Sequence, residues 1–132
     1  MFEEGFIVHT YTRAQAIDDG VLIDVTATAQ EAGFKVPVAL TSAVWADCVE
    51  WSDADTESTG MPQDETGRLW DVVWMAGYAA RQKRNSNSRR VDFELRRVER
   101  GHRRPTRVRL LMAIGPGDEG EPVITIMQGG ED

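Results

Sequence analysis

The clearest pattern in the chain is the recurrence of large apolar residues at every second position in its last third. It covers residues 91–95 and 107–114, and a short apolar segment follows at 123–127. A period of two is typical of strands that bury one face. The two connecting segments are rich in Gly, Pro and charged residues, which is the composition of turns. These features predict a C-terminal three-stranded meander.

A helical period governs residues 64–82. One apolar stripe recurs at intervals of three or four residues and consists of Leu69, Val72, Val73, Ala76 and Ala80. A second stripe recurs at intervals of four and consists of Trp70, Trp74 and Tyr78. A helix with two apolar faces lies either at the centre of a fold or partly in an interface. Because Trp and Tyr dominate protein-binding sites, the second stripe is a candidate partner-binding surface, with burial in the core as the alternative.

Shorter elements are predicted before this helix. Thr12 and Gln15 have the spacing of a capping box, which predicts a helix over 12–19. Residues 21–25 are rich in β-branched side chains and predict a buried strand. Thr26 is then predicted to cap a second short helix.

The segment between these elements and the central helix is predicted to be less regular. Residues 36–40 are extended, but Pro37 limits them to an edge strand or to a position outside the sheet. A third short helix is predicted to follow directly. Residues 52–66 contain five carboxylates and are predicted to form a solvated loop. Ser58 and Asp64 stand where a calcium loop needs Gly and Glu, so no metal site is predicted there.

Together these elements predict an α+β protein. Short N-terminal helices and one longer central helix would pack on an antiparallel sheet that ends in the meander. With 132 residues, the chain has the length of a single domain, 1–132. We expect residues 83–90 and 128–132 to be flexible within it.

The composition indicates the cellular compartment. Hydrophobic residues make up 41% of the chain and charged residues 28%, as in ordinary globular proteins. We find no apolar run of about 18 residues that would cross a membrane, and the acidic start lacks the features of a signal peptide. A single cysteine fits a reducing compartment. We therefore expect a cytoplasmic protein that has no contact with a membrane.

The charge is distributed very unevenly along the chain. The net charge is -7, but residues 1–66 carry 13 acidic and 2 basic side chains, whereas residues 67–112 carry 4 acidic and 13 basic ones. Such asymmetry indicates a partner-binding surface. The alternative is that the acidic and basic parts pair with each other within the fold or across a homodimer.

The basic residues concentrate in and around the predicted loop between the first two strands of the meander. The candidate partner-binding arginines are Arg96, Arg100, Arg103, Arg104 and Arg107. A basic two-stranded ribbon can enter a nucleic-acid groove or hold an acidic partner. The alternative for the strand positions is cross-strand pairing of Arg107 and Arg109 with Asp92 and Glu94. That pairing leaves the arginines of the loop unexplained.

Catalytic signatures are weak. Cys48 lies on the inward face of a predicted helix, and two histidines with one cysteine are too few for a standard zinc site. The segments 9–12 and 19–22 resemble the opening of ADP-ribosyltransferase-like domains, and this resemblance implies that His9 would contact the ribose of a nicotinamide nucleotide. No later Tyr and catalytic Glu match that family. We therefore assign no catalytic residue, no metal and no cofactor.

A wider resemblance covers most of the chain. The segments 11–25, 63–71 and 115–127 are similar to a family of small bacterial domains of plasmids, integrative elements and phages. This resemblance implies a protein that acts on host machinery, as anti-CRISPR and anti-restriction proteins do. The expected function is non-catalytic binding and inhibition of a host defence complex, which is a protein or a ribonucleoprotein. Three alternatives remain. They are a nucleic-acid-binding accessory protein that uses the arginine hairpin, an ADP-ribosyltransferase-like enzyme, and a structural or oligomerisation module that uses the stripe of Trp and Tyr.

Overall fold

The computed structural model describes residues 11–131. Helices and strands follow in the order α1 (Arg13–Asp18), β1 (Leu22–Asp24), α2 (Thr26–Glu31), β2 (Val38–Thr41), α3 (Ser42–Val44), α4 (Asp53–Thr59), α5 (Glu65–Ala80), β3 (Arg90–Val98), β4 (Pro105–Pro116) and β5 (Pro122–Gln128). The helix α3 continues as the π-helical segment Trp45–Val49, and the 3-10 turn Lys83–Asn85 follows α5.

The strands form one mixed sheet in the order β1-β2-β5-β4-β3. The predicted α+β class, the long central helix and the C-terminal meander are confirmed. The sheet was expected to be antiparallel, and it contains one parallel pair, in which Val38 lies beside Ile124 and Leu40 beside Ile126. The two antiparallel pairs of the meander leave β5 running in the direction of β3, and β2 runs in that direction as well.

The hydrophobic core fills the space between one face of the sheet and the helices. Its fully buried side chains include Leu40, Val44, Val72, Val73, Leu110, Met112 and Ile126. Each such side chain contributes about 1.5–3 kcal/mol relative to exposure in water. The stripe that begins at Leu69 faces this core, as its helical spacing predicts.

The helix α1 is tied to the opposite face of the sheet. The guanidinium of Arg13 donates to the Thr125 hydroxyl at 2.8 Å and to the Ile124 carbonyl at 2.7 Å. The carboxylate of Asp118 accepts from the backbone N–H groups of Arg13 and Ala14, and these bonds lower the pKa of Asp118. The predicted capping box at the start of α1 is present.

Two predictions about the first strands are wrong. The strand β1 is half-buried at Leu22 and exposed at Asp24, because it pairs only with β2 at one edge of the described sheet. The stretch that Pro37 was expected to keep at an edge forms the interior strand β2, whose first three residues are fully buried. Pro37 lies just before this strand, where its missing N–H removes no bond of the ladder.

The acidic stretch predicted as a loop contains the helix α4. Ser52 caps it in a reciprocal arrangement with Asp55, and Gly60 ends it in the left-handed conformation with φ 74°. The indole of Trp51 donates to the Thr56 hydroxyl at 2.9 Å and fixes the helix to the core. The prediction failed because α4 has no apolar stripe, so local capping and one tryptophan decide its structure.

Candidate partner-binding site

The second stripe of α5 is only partly buried. Trp70 packs against the core, whereas the side chains of Trp74 and Tyr78 are 46% and 54% exposed. The rings of Trp70 and Trp74 stack with their centroids 5.9 Å apart, and the guanidinium of Arg81 lies 5.5 Å from the centre of the Trp74 ring. Trp70 is therefore a core residue, as the alternative prediction has it. Trp74 and Tyr78 are exposed, as residues of a binding surface would be.

Trp74 lines a groove of about 530 Å³ between α5 and β3, here called the aromatic groove. Its other lining residues are the apolar Met75 and Leu95 and the charged Asp71, Glu94, Arg96 and Arg107. The groove thus brings together three residues that the sequence proposed as partner-binding, one from the helix and two from the hairpin. The other residues of the groove were not predicted. The sequence signal for them is the helical stripe of α5 taken together with the alternation of β3.

Arg96 and Arg107 lie opposite each other in the pairing of β3 with β4. The Arg107 guanidinium is 3.6 Å from the Glu94 carboxylate, and both side chains are more than half exposed. An exposed ion pair of this kind contributes little to stability. Arg96 is exposed and forms no ion pair with any residue of 11–131. The cross-strand pairing expected for Arg107 is confirmed with Glu94, and it leaves Arg96 without a counterion in the described chain.

Arg100 is bound within the chain. Its guanidinium donates to Glu50 at 2.9 Å and to Asp55 at 2.9 Å. Burial alone would raise the pKa of Asp55, but the hydrogen bonds from Ser52 and Arg100 outweigh it and lower that pKa. At this point the acidic and basic parts of the chain pair with each other, as the alternative explanation of the charge asymmetry predicts. The geometry therefore gives Arg100 a role in holding the hairpin on α4.

Arg103 and Arg104 differ from Arg100. Both are exposed at the end of the β3–β4 hairpin, and neither forms an ion pair within the part of the chain that is described. Together with Arg96 and Arg107 they form a set of exposed arginines on one hairpin, here called the arginine surface. An anionic partner is the kind of molecule that such a surface attracts.

Sequence reasoning missed the buried cation Arg68, whose exposed fraction is 4%. It donates to the carbonyls of Val49 at 3.1 Å and Val98 at 2.8 Å and to the Gln63 side chain at 2.6 Å. Its guanidinium also lies 4.7 Å from the centre of the Trp51 ring. Burial lowers the pKa of Arg68. The sequence signal for its burial is the spacing of four residues between Arg68 and Val72, which places Arg68 on the buried stripe of α5.

A second groove, of about 610 Å³, lies between α4 and α5. Its lining includes Asp53, Asp64 and Asp71, and burial raises the pKa of Asp71. These carboxylates do not converge, since residues 11–131 contain no group of three side chains that could hold a metal ion. We assign no ligand to this groove.

The remaining candidate for covalent chemistry is Cys48. It is 1% exposed, and burial raises the pKa of its thiol to about 12. A nucleophilic cysteine needs the opposite environment, exposed and with a lowered pKa. His9, the residue of the ADP-ribosyltransferase hypothesis, lies outside the described residues. Within residues 11–131, no helix is long and apolar enough to cross a membrane.

The fold and the site define an α+β protein with exposed arginines and aromatic side chains at one edge of a mixed sheet. A model of a family of unknown function, DUF6573, matches residues 1–132, and the chain belongs to that family. Comparisons with curated proteins and with solved structures give no significant match.

Proposed function

We propose that the protein is encoded on a mobile element and acts without catalysis, by binding and inhibiting a host defence complex of the anti-CRISPR kind. The observation that carries the binding role is the arginine surface. Arg96, Arg103 and Arg104 remain exposed and without ion pairs in the described chain, although the whole chain has a net charge of -7. The chain has more carboxylates than basic groups, yet these arginines pair with none of them in the described residues. They are therefore available to bind an anionic partner.

The kind of partner comes from the sequence resemblance to domains of plasmids, integrative elements and phages. Small acidic proteins on such elements gain from disabling a defence complex of the host cell. A defence complex that handles nucleic acid offers both acidic protein surfaces and bound RNA or DNA as targets for arginines. Binding alone is enough to block such a complex, and this agrees with the buried, unreactive environment of Cys48.

The proposal is tested by affinity capture of the tagged protein from a bacterial lysate, with and without nuclease. We expect a protein complex in fixed proportion to the bait that survives nuclease treatment. Mass spectrometry should identify its subunits as a defence system. Capture of nothing, or of proteins unrelated to defence, would contradict the proposal.

Charge reversal shows whether the arginine surface makes the contact. We expect the double variant Arg103→Glu/Arg104→Glu to lose the complex. The matched control Lys83→Glu/Arg84→Glu changes the charge equally in the 3-10 turn after α5 and should retain it. Arg100 is left unchanged, because a glutamate there would face Glu50 and Asp55 and disturb the fold. Equal capture by all three proteins would place the contact elsewhere.

A nucleic-acid-binding accessory protein is the second candidate, and the adjacent Arg96 and Arg107 favour it. Two neighbouring guanidinium groups can neutralise phosphates of a nucleic acid. This function predicts capture of nucleic acid alone and an affinity that falls steeply with salt. Loss of all captured material after nuclease would select it over the first proposal.

A further inference from the structure

Among the described strands, β3 lies at one end of the sheet, next to the aromatic groove. It pairs with β4 along one side, and no strand within residues 11–131 pairs with its other side. An unpaired edge presents a row of backbone N–H and C=O groups that can bind another extended chain.

The pairing pattern shows which residues direct their backbone outward. The N–H of Ile114 donates to the carbonyl of Arg89 at 2.8 Å, so these two residues form a hydrogen-bonded pair. Such pairs alternate along an antiparallel ladder with pairs that exchange no hydrogen bond. Asp92, Glu94 and Arg96 belong to the second kind, and their N–H and C=O groups therefore point away from β4.

The side chains beside this edge differ between the two faces of the sheet. On the helix side, Leu95 belongs to the core and lines the aromatic groove together with Trp74 and Met75. Arg96 and Arg107 border the same groove at the edge of the sheet, but the alternation of the strands puts their side chains on the other face, beside two acidic residues of β3. Because side chains of a strand alternate between faces, an added strand would meet an apolar environment on one face and, next to Arg96 and Arg107, a cationic one on the other.

We propose, resting on the proposed binding function, that an extended segment of the partner protein adds to the outer edge of β3. Its apolar side chains enter the aromatic groove, and its alternate, acidic side chains face Arg96 and Arg107. We expect acidic residues in the partner segment because Arg96 lies opposite another arginine and has no ion pair in the described chain.

A second copy of this protein fits the same edge poorly. The helix α5 packs on β3 itself. Pairing two copies through β3 would set these strands about 4.8 Å apart. The two α5 helices would then stand closer than the roughly 8–10 Å that packed helices need. A single extended segment has no helix above it and avoids this conflict.

The test uses a capped seven-residue peptide with Leu at odd and Glu at even positions, titrated into the protein while Trp fluorescence is followed. We expect saturable binding, and weaker binding of the peptide with Lys in place of Glu. The variant Glu94→Pro removes an outward N–H and should weaken binding about tenfold. Glu94→Gln removes the same charge but keeps the N–H, and it should bind the acidic peptide at least as tightly as the wild type.

Circular dichroism and thermal unfolding show whether Glu94→Pro keeps the fold, and Arg96→Glu provides a second variant with an intact backbone that should also weaken binding. Absence of peptide binding, equal binding of the Lys peptide, or full binding by both variants would overturn the proposal. The capture experiment distinguishes a failure of strand addition from a failure of the proposed function. A host complex retained equally by the wild type and Glu94→Pro would refute strand addition alone, whereas no retained complex would refute the function.

Discussion

Arg96 and Arg107 face each other directly across β3 and β4, in a pair that exchanges no backbone hydrogen bond. Side chains are closest in pairs of this kind, and like charges there destabilise a sheet. The fold gains little from this arrangement, because within residues 11–131 Arg107 forms an exposed ion pair with Glu94 and Arg96 forms none. A local cost without a structural benefit is typical of residues that serve a binding surface.

The first prediction concerns this pair. Arg96→Glu places a carboxylate opposite Arg107, and we expect the variant to be more stable than the wild type by about 0.5 kcal/mol. The same change should weaken binding of the host complex. Urea unfolding followed by fluorescence measures the first effect, and affinity capture measures the second. A less stable variant with unchanged binding would show that the pair serves the fold.

The buried Arg68 should be essential for stability. Arg68→Met leaves the carbonyls of Val49 and Val98 without their donor. We expect the free energy of unfolding to fall by about 3 kcal/mol. Chemical denaturation measures this loss, with Arg84→Met as the control, since Arg84 is exposed and its replacement should change stability by less than about 0.5 kcal/mol. An unchanged midpoint for Arg68→Met would refute the role given to its hydrogen bonds.

Stability should fall in acid. The pKa of Asp55 is lower in the folded protein than in an unfolded chain, so its contribution is present above the unfolded value near 3.9 and is lost as pH falls through the folded value. Asp118 acts in the same direction. Thermal unfolding between about pH 5 and pH 2 should show a falling midpoint, and Asp55→Asn should reduce the decrease. Identical pH profiles for both proteins would contradict this assignment.

The thiol of Cys48 should be inert in the folded protein. Its burial and its pKa of about 12 leave almost no accessible thiolate near neutral pH. A chromogenic disulfide reagent should react at least about a hundredfold more slowly with the native protein than with the urea-unfolded protein. Rapid reaction under native conditions would reopen the search for a covalent activity.

The sequence predicted those parts of the fold that follow from regular periodicity. The helix α5 and the strands β3 and β4 carry long, regular patterns, and all three were predicted close to their actual bounds. The helix α4 was missed because Ser52 and Trp51 stabilise it through single contacts that leave no periodic signal.

The candidate site was only partly predictable for a similar reason. The exposed Trp74 and the hairpin arginines were named from spacing and charge, but the sequence could not show that Trp74 meets Arg96 in one groove. Nor could it separate Arg100, which is bound to α4, from Arg103 and Arg104, which are not. That distinction depends on a tertiary contact between residues about 45 positions apart, from Asp55 to Arg100.

The most direct test of the proposed function is the plating efficiency of a phage that the host defence system targets, on cells that produce the protein. The wild type should raise plating toward the level seen without the defence system. Arg103→Glu/Arg104→Glu should fail to do so at equal protein level, whereas Lys83→Glu/Arg84→Glu should act as the wild type does. Unchanged plating with the wild type, or equal protection of the phage by both double variants, would contradict the account.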